Sequence, residues 1–161
     1  MDNKNWYNEI MLDKDKKGTR IMVFGTFDGL HKGHLNFFKQ AKNFIKNSFL
    51  IVSIARDKNV FKIKGKYPDK KEKERLALVE ECKLADRVIL AGKKRYLFHI
   101  LKEKPDIIAL GYDQRAYVKE LKRDLKNLFV SGGGTEIKVI RLKPYKEKIY
   151  KNHLLKKKRK I

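Results

Sequence analysis

Residues 20–46 read RIMVFGTFDGLHKGHLNFFKQAKNFIK. The run Arg20-Ile21-Met22-Val23-Phe24 is short, apolar and stopped by Gly25, the pattern of a strand buried on both faces of a parallel sheet. From Lys32 onward, Leu35, Phe38, Ala41, Phe44 and Ile45 recur at helical steps, with Asn36, Lys39, Asn43 and Lys46 filling the other face, which predicts an amphipathic helix. A strand that feeds a helix through one tight loop is the opening half of a βαβ unit.

The same alternation runs along the chain in both composition and spacing. Residues 49–55 predict a second strand, and residues 56–68 a lysine-rich loop holding Val60, Phe61 and Ile63. A helix is expected from about Lys70 to Lys83, a third strand over residues 87–90, a helix over 96–104 and a fourth strand over 106–110 closed by Gly111. The spacing of Val118, Leu121, Leu125 and Leu128 predicts another helix; Gly132-Gly133-Gly134 reads as a turn, and residues 136–142 as a fifth strand. Residues 150–160 read as a final helix. Such alternation predicts an α/β fold, a doubly wound parallel five-stranded sheet in a single domain. Residues 1–19 are expected to form a polar arm, 20–149 the domain and 150–161 a basic tail.

Composition narrows the function. With 161 residues and 19.0 kDa there is room for one core and no second domain. Lys and Arg number 41 against 19 Asp and Glu, a net charge of +22 that favours anionic partners: phosphates, nucleic acid or an anionic surface. Residues 138–161 hold eleven Lys or Arg and only Glu147 as an acid, so weak nucleic-acid binding through the tail is one expectation. The lone Cys82 cannot pair within the chain, and Leu78 and Val79 one turn earlier favour a buried thiol. No stretch approaches the ~20 apolar residues that cross a bilayer, so a cytoplasmic protein without a membrane partner is expected.

In such sheets ligands gather beyond the carboxyl ends of the strands where the strand order reverses, which directs attention to the loops after the first and fourth strands. The first carries His31 and His34 at the start of a helix, where unpaired backbone N–H groups stabilise an anion and Gly33 lets a phosphate come close. Metal ligation by Asp28, His31 and His34 is the rival reading, but the loop offers no further ligand. In residues 56–66 lysines alternate with apolar residues, a period that would send Lys62, Lys64 and Lys66 to one side as cations for a phosphoryl centre. After the fourth strand, Tyr112, Asp113 and Gln114 offer a ring and polar groups for a ribose or a base edge, with Asp113 as a simple helix cap being the alternative. Arg141, at the end of the fifth strand, faces either the cleft or solvent.

Gly25-Thr26-Phe27-Asp28 with His31-x-Gly33-His34 resembles the signature of the cytidylyltransferase-like nucleotidyltransferases, over about residues 20–142. The resemblance implies a Rossmann-like sheet, and phosphate contact with transition-state stabilisation by His31 and His34. It also implies triphosphate contact by Thr26 and Phe27, and a phosphate-binding lysine best matched by Lys62, with Lys64 second. Glu74-Arg75 is similar to the family's Glu-Arg at the next helix, although two adjacent exposed charges would serve no site. Gly111-Tyr112-Asp113-Gln114 is similar to the archaeal-type FAD synthases within the family, which tilts the nucleotide toward ATP and the acceptor toward FMN. Where family members carry a Ser/Thr-rich stretch before the last helix, residues 150–155 contain neither residue.

The expected activity is transfer of a nucleoside monophosphate from a nucleoside triphosphate to a phosphorylated acceptor with release of pyrophosphate, in the form of FMN adenylylation. Mg²⁺ would bridge the triphosphate oxygens. Cytidylyl transfer to a glycerol-3-phosphate-type acceptor is one alternative, and a noncatalytic nucleotide- or RNA-binding protein of the same fold is another. Family members are often dimers, which makes a homodimer an option that the residues leave open.

Overall fold

The computed structural model describes residues 18–132 and 134–145. The expected final helix, the N-terminal arm up to residue 17 and the whole basic tail of residues 150–161, with the stretch 150–155 inside it, lie outside the described residues. Five strands, β1 (Thr19–Gly25), β2 (Ser48–Ile54), β3 (Arg87–Leu90), β4 (Ile107–Leu110) and β5 (Lys138–Arg141), form one parallel sheet in the order β3-β2-β1-β4-β5. The order reverses between β1 and β4, so the carboxyl ends of these two neighbours define the switch point.

The helices are α1 (Lys32–Asn43), α2 (Asp57–Lys64), α3 (Glu72–Glu81), α4 (Tyr96–Glu103) and α5 (Val118–Val130). Strand residues alternate between the two faces of the sheet, and each face has its own apolar layer. Ile21, Val23, Leu50, Val52 and Ile107 pack with Phe38 and Ala41 of α1 and Val79 of α3. Met22, Ile51, Ile108 and Leu110 pack with Ile100 of α4 and Leu121 and Leu125 of α5. Both faces of the central strands are therefore buried, which is why these strands read as continuous apolar runs rather than as alternating ones. Cys82 is half-buried against the first of these layers. No helix among the described residues is long and apolar enough to cross a membrane.

One expected loop is a helix. Residues 57–64 form the two turns of α2, with Asp57 in the first turn, Lys62 and Lys64 in the last, and Gly65 stopping it at φ 71°. Opposite charges at the two ends complement the helix dipole, and glycine takes the left-handed cap without strain. Val60 is its only buried residue, so the apolar periodicity that marks longer helices is missing here.

Candidate active site

The loop from β1 to α1 is built around two aromatic groups. Phe27 sits at φ 51° and is 4% exposed; its ring lies over Gly25, where an added Cβ would come within 2.5 Å of Phe27 Cζ. Gly25 is thus required by the ring above it. Phe27 meets Phe38 edge-on at 5.0 Å and His34 at 5.3 Å, so its ring is a support under the histidines.

His31 is the N-cap of α1. Its Nδ1 accepts from the backbone N–H of Gly33 at 3.1 Å and of His34 at 3.4 Å, which places the proton of the neutral ring on Nε2. The amides expected to receive a phosphate are therefore bonded to the His31 ring. The two imidazoles stack at 3.8 Å. Burial, and then the proximity of His31, lower the pKa of His34 to about 3, with the Gly29 carbonyl opposing them. His34 is neutral at physiological pH, and its Nδ1 is buried with no hydrogen-bond partner among the described residues. Asp28 does not join them: its carboxylate accepts from the backbone N–H groups of Asp69 and Lys70, both at 2.8 Å. Among the described residues no three His, Cys, Asp or Glu side chains gather in a metal-binding group.

These histidines open onto a cleft of about 760 Å³ at the carboxyl ends of β1 and β4. Thr26, Phe27, Gly33, Lys64, Tyr112, Asp113 and Gln114 all line it. Lys64 Nζ reaches Thr26 Oγ1 at 3.5 Å, joining α2 to the β1–α1 loop. Lys62 does not line the cleft: the helical twist of α2 parts it from Lys64, and the period-two alternation that grouped Lys62, Lys64 and Lys66 does not apply. Gln114 serves as a strut as well as lining, since Oε1 accepts from Gly111 N–H at 2.7 Å and Nε2 donates to the Phe24 carbonyl at 2.8 Å. Arg141 stands behind that loop, donating through Nη1 to the carbonyls of Gly111 at 2.7 Å and Gln114 at 2.8 Å, and it is not part of the lining.

Arg75 is fully buried, whereas its position beside Glu74 suggested an exposed pair. Its guanidinium donates to the carbonyls of Thr26 at 2.6 Å, Ala55 at 2.8 Å and Lys70 at 3.0 Å, and to Asp57 Oδ1 at 2.7 Å. One side chain thus ties the ends of β1 and β2 to α2 and α3. Lys143 and Tyr145 also line the cleft, and sequence reasoning missed them. They are placed by Gln40 of α1, whose amide exchanges hydrogen bonds with the backbone of Lys143 at 3.0 and 3.1 Å.

Residues 22–152 match the cytidylyltransferase-like family. The chain is 43% identical over 131 residues to an FAD synthase of Methanosarcina mazei, covering 80% of each chain. It is 37% identical over 126 residues to an FAD synthase of Thermoplasma volcanium, covering 78% of this chain and 83% of that one. A crystal structure from Thermoplasma volcanium GSS1, described as a lipopolysaccharide core biosynthesis protein, superposes with a TM-score of 0.68 at 37% identity over 79% of this chain and 98% of that one.

Proposed function

This chain belongs to the cytidylyltransferase-like family, and from that premise we infer that it works as an FMN adenylyltransferase, joining the adenylyl group of ATP to FMN and releasing pyrophosphate. The observation that carries the reading is the convergence of His31, His34 and Lys64 on one cleft that also holds Gly111-Tyr112-Asp113-Gln114, in a chain whose relatives are named FAD synthases. Those names do not favour the cytidylyl or the noncatalytic alternative.

A phosphate oxygen of FMN attacks the α-phosphorus of ATP in line. The bond from that phosphorus to the bridging oxygen of the β-phosphate breaks, and the electron pair leaves with pyrophosphate. Both reactants are anionic, so the protein's task is to hold them together and stabilise charge on the centre and leaving group. His31 offers its Nε2 proton, because Nδ1 is occupied by the helix amides. A triphosphate beside His34 raises the proton affinity of a ring that burial and the neighbouring His31 keep neutral, so His34 meets the phosphates as a donor. Lys64 supplies the cation from α2. Magnesium enters as the metal complex of ATP, with triphosphate oxygens as its ligands. A cytoplasmic setting, in keeping with the lone Cys82, completes the proposal.

The test is incubation with FMN, ATP and Mg²⁺, and in parallel with CTP, phosphorylated alcohols and Mg²⁺, reading the nucleotidyl product by mass spectrometry, for wild type, His31→Asn and His34→Ala. Asn keeps an N-cap acceptor on α1 while removing the imidazole, so its fold is retained. Both variants should lose about a hundredfold or more in kcat. Unchanged turnover in either overturns that histidine's role, and CDP-alcohol formation in place of FAD overturns the assigned substrate.

A further inference from the structure

The strand order sets out the cleft from side to side. Strands β2 and β4 flank β1, so α2 and the loop that follows it stand on one side of the histidine loop, and residues 111–117 stand on the other. The β4 side sets two rings, Tyr112 and Tyr117, beside the polar Asp113, Gln114 and Arg115. On the β2 side Val60, Ile63, Tyr67 and Pro68 line the cleft together with two cations, Lys64 and Lys66.

Large apolar side chains stand in the open on this side. Ile63 is 49% exposed, Phe61 45% and Tyr67 59%. Phe61 and Tyr67 stack at 4.6 Å with 26° between their planes, so the cleft-lining Tyr67 ring is braced from within its own segment. The backbone just beyond it is pinned by Asp28, which accepts from the N–H groups of Asp69 and Lys70, and Pro68 restricts the chain between. A rigid aromatic surface in water, with two lysines lining the same cleft, is an arrangement that the phosphates of ATP do not require. It fits a ligand with a flat ring system at one end and a phosphate at the other.

We propose that Tyr67, braced by Phe61 and flanked by Ile63, is the stacking platform for the isoalloxazine ring of FMN, and that Lys64 and Lys66 meet its phosphate. The proposal rests on the FMN adenylyltransferase reading and assigns the acceptor to the β2 side of the cleft, leaving the β4 side to the adenosine. The acceptor phosphate then enters beside the histidines from α2, where Lys64 already bridges to Thr26. No bond is made or broken by Tyr67; it is a specificity-determining binding residue.

The experiment compares Tyr67→Ala, Tyr67→Leu and Tyr67→Phe in the full chain. FAD synthesis gives KM for FMN and for ATP separately, and calorimetric titration of FMN in the presence of Mg²⁺ and α,β-methylene-ATP gives Kd without turnover. Loss of one stacked aromatic is expected to raise KM and Kd for FMN about tenfold in the Ala and Leu variants. KM for ATP should stay within twofold, and Phe should rescue most of the FMN affinity because it restores the plane. If Tyr67→Ala fails to fold by circular dichroism, the contrast between Leu and Phe decides alone. Wild-type FAD synthesis with unchanged FMN affinity in the Leu variant overturns the platform and leaves the activity standing. A wild-type protein that adenylylates a different acceptor and binds no FMN overturns both.

Discussion

A histidine held neutral by burial records its position in the pH dependence of stability. His34 titrates at about 3 in the folded chain against 6.5 unfolded. Between these values the unfolded state binds more protons than the folded one, so this contribution is fully present above pH 6.5 and is lost as the pH falls toward 3. From pH 7.5 to pH 5 the linkage amounts to about 2 kcal/mol. Urea unfolding at the two pH values should show wild type losing about that much more stability than His34→Gln. An equal loss in both would mean that the ring is hydrated and not restrained by its stack on His31 and the edge of Phe27. His99, also lowered by burial, is common to both proteins and cancels in the comparison.

Among the secondary elements, the site is a joint where four chain segments meet, and Arg75 is the residue that joins them. Four of its N–H donors serve three carbonyls and Asp57, and the side chain itself has no exposed surface. Arg75→Ala takes the shared donor from those four acceptors and empties a fully buried site, and should lower unfolding stability by about 3–5 kcal/mol. Arg75→Lys, with a compact ammonium that cannot reach them as a fork, should recover only part of that in thermal denaturation. Wild-type melting in Arg75→Ala would show that the joint is held by packing. This role was not legible in the sequence, where the resemblance marked Glu74-Arg75 but the two charges alone read as a solvated pair, because what matters is the converging carbonyls of Thr26, Ala55 and Lys70. The β1 to α1 segment was legible, since its strand is buried on both faces and its helix is long enough to show a period. Helix α2 was not: two turns with one buried residue carry no period, and the only signs were Asp57 at its start and Gly65 at its stop. The same two turns are why Lys62, Lys64 and Lys66 read as one group, for a helix separates side chains that an extended loop would align. Gln114 and Arg141 show a similar limit, because polar side chains near a site support its loops as readily as they touch a ligand.

Taken as a whole, the chain carries a net charge of +22, and the two proposed substrates of its cleft are both anions. A field of that sign raises the encounter rate with each of them and is screened by salt over about 10 Å at 0.1 M ionic strength. The chemical step takes place inside a cleft lined by fixed groups and is less exposed to screening. Raising KCl from 50 to 500 mM should therefore lower kcat/KM for FMN and for ATP by about tenfold while kcat changes little. Truncation after Leu155 removes Lys156, Lys157, Lys158, Arg159 and Lys160. If this end contributes to steering, the slope of log kcat/KM against log [KCl] becomes shallower in the truncated chain, whereas an unchanged slope assigns the attraction to the lysines of the folded domain, Lys64 and Lys66 foremost. A kcat/KM independent of salt in both chains would separate the charge excess from catalysis altogether, leaving a polyanion such as RNA as its remaining physical use, measurable as binding that weakens steeply with salt.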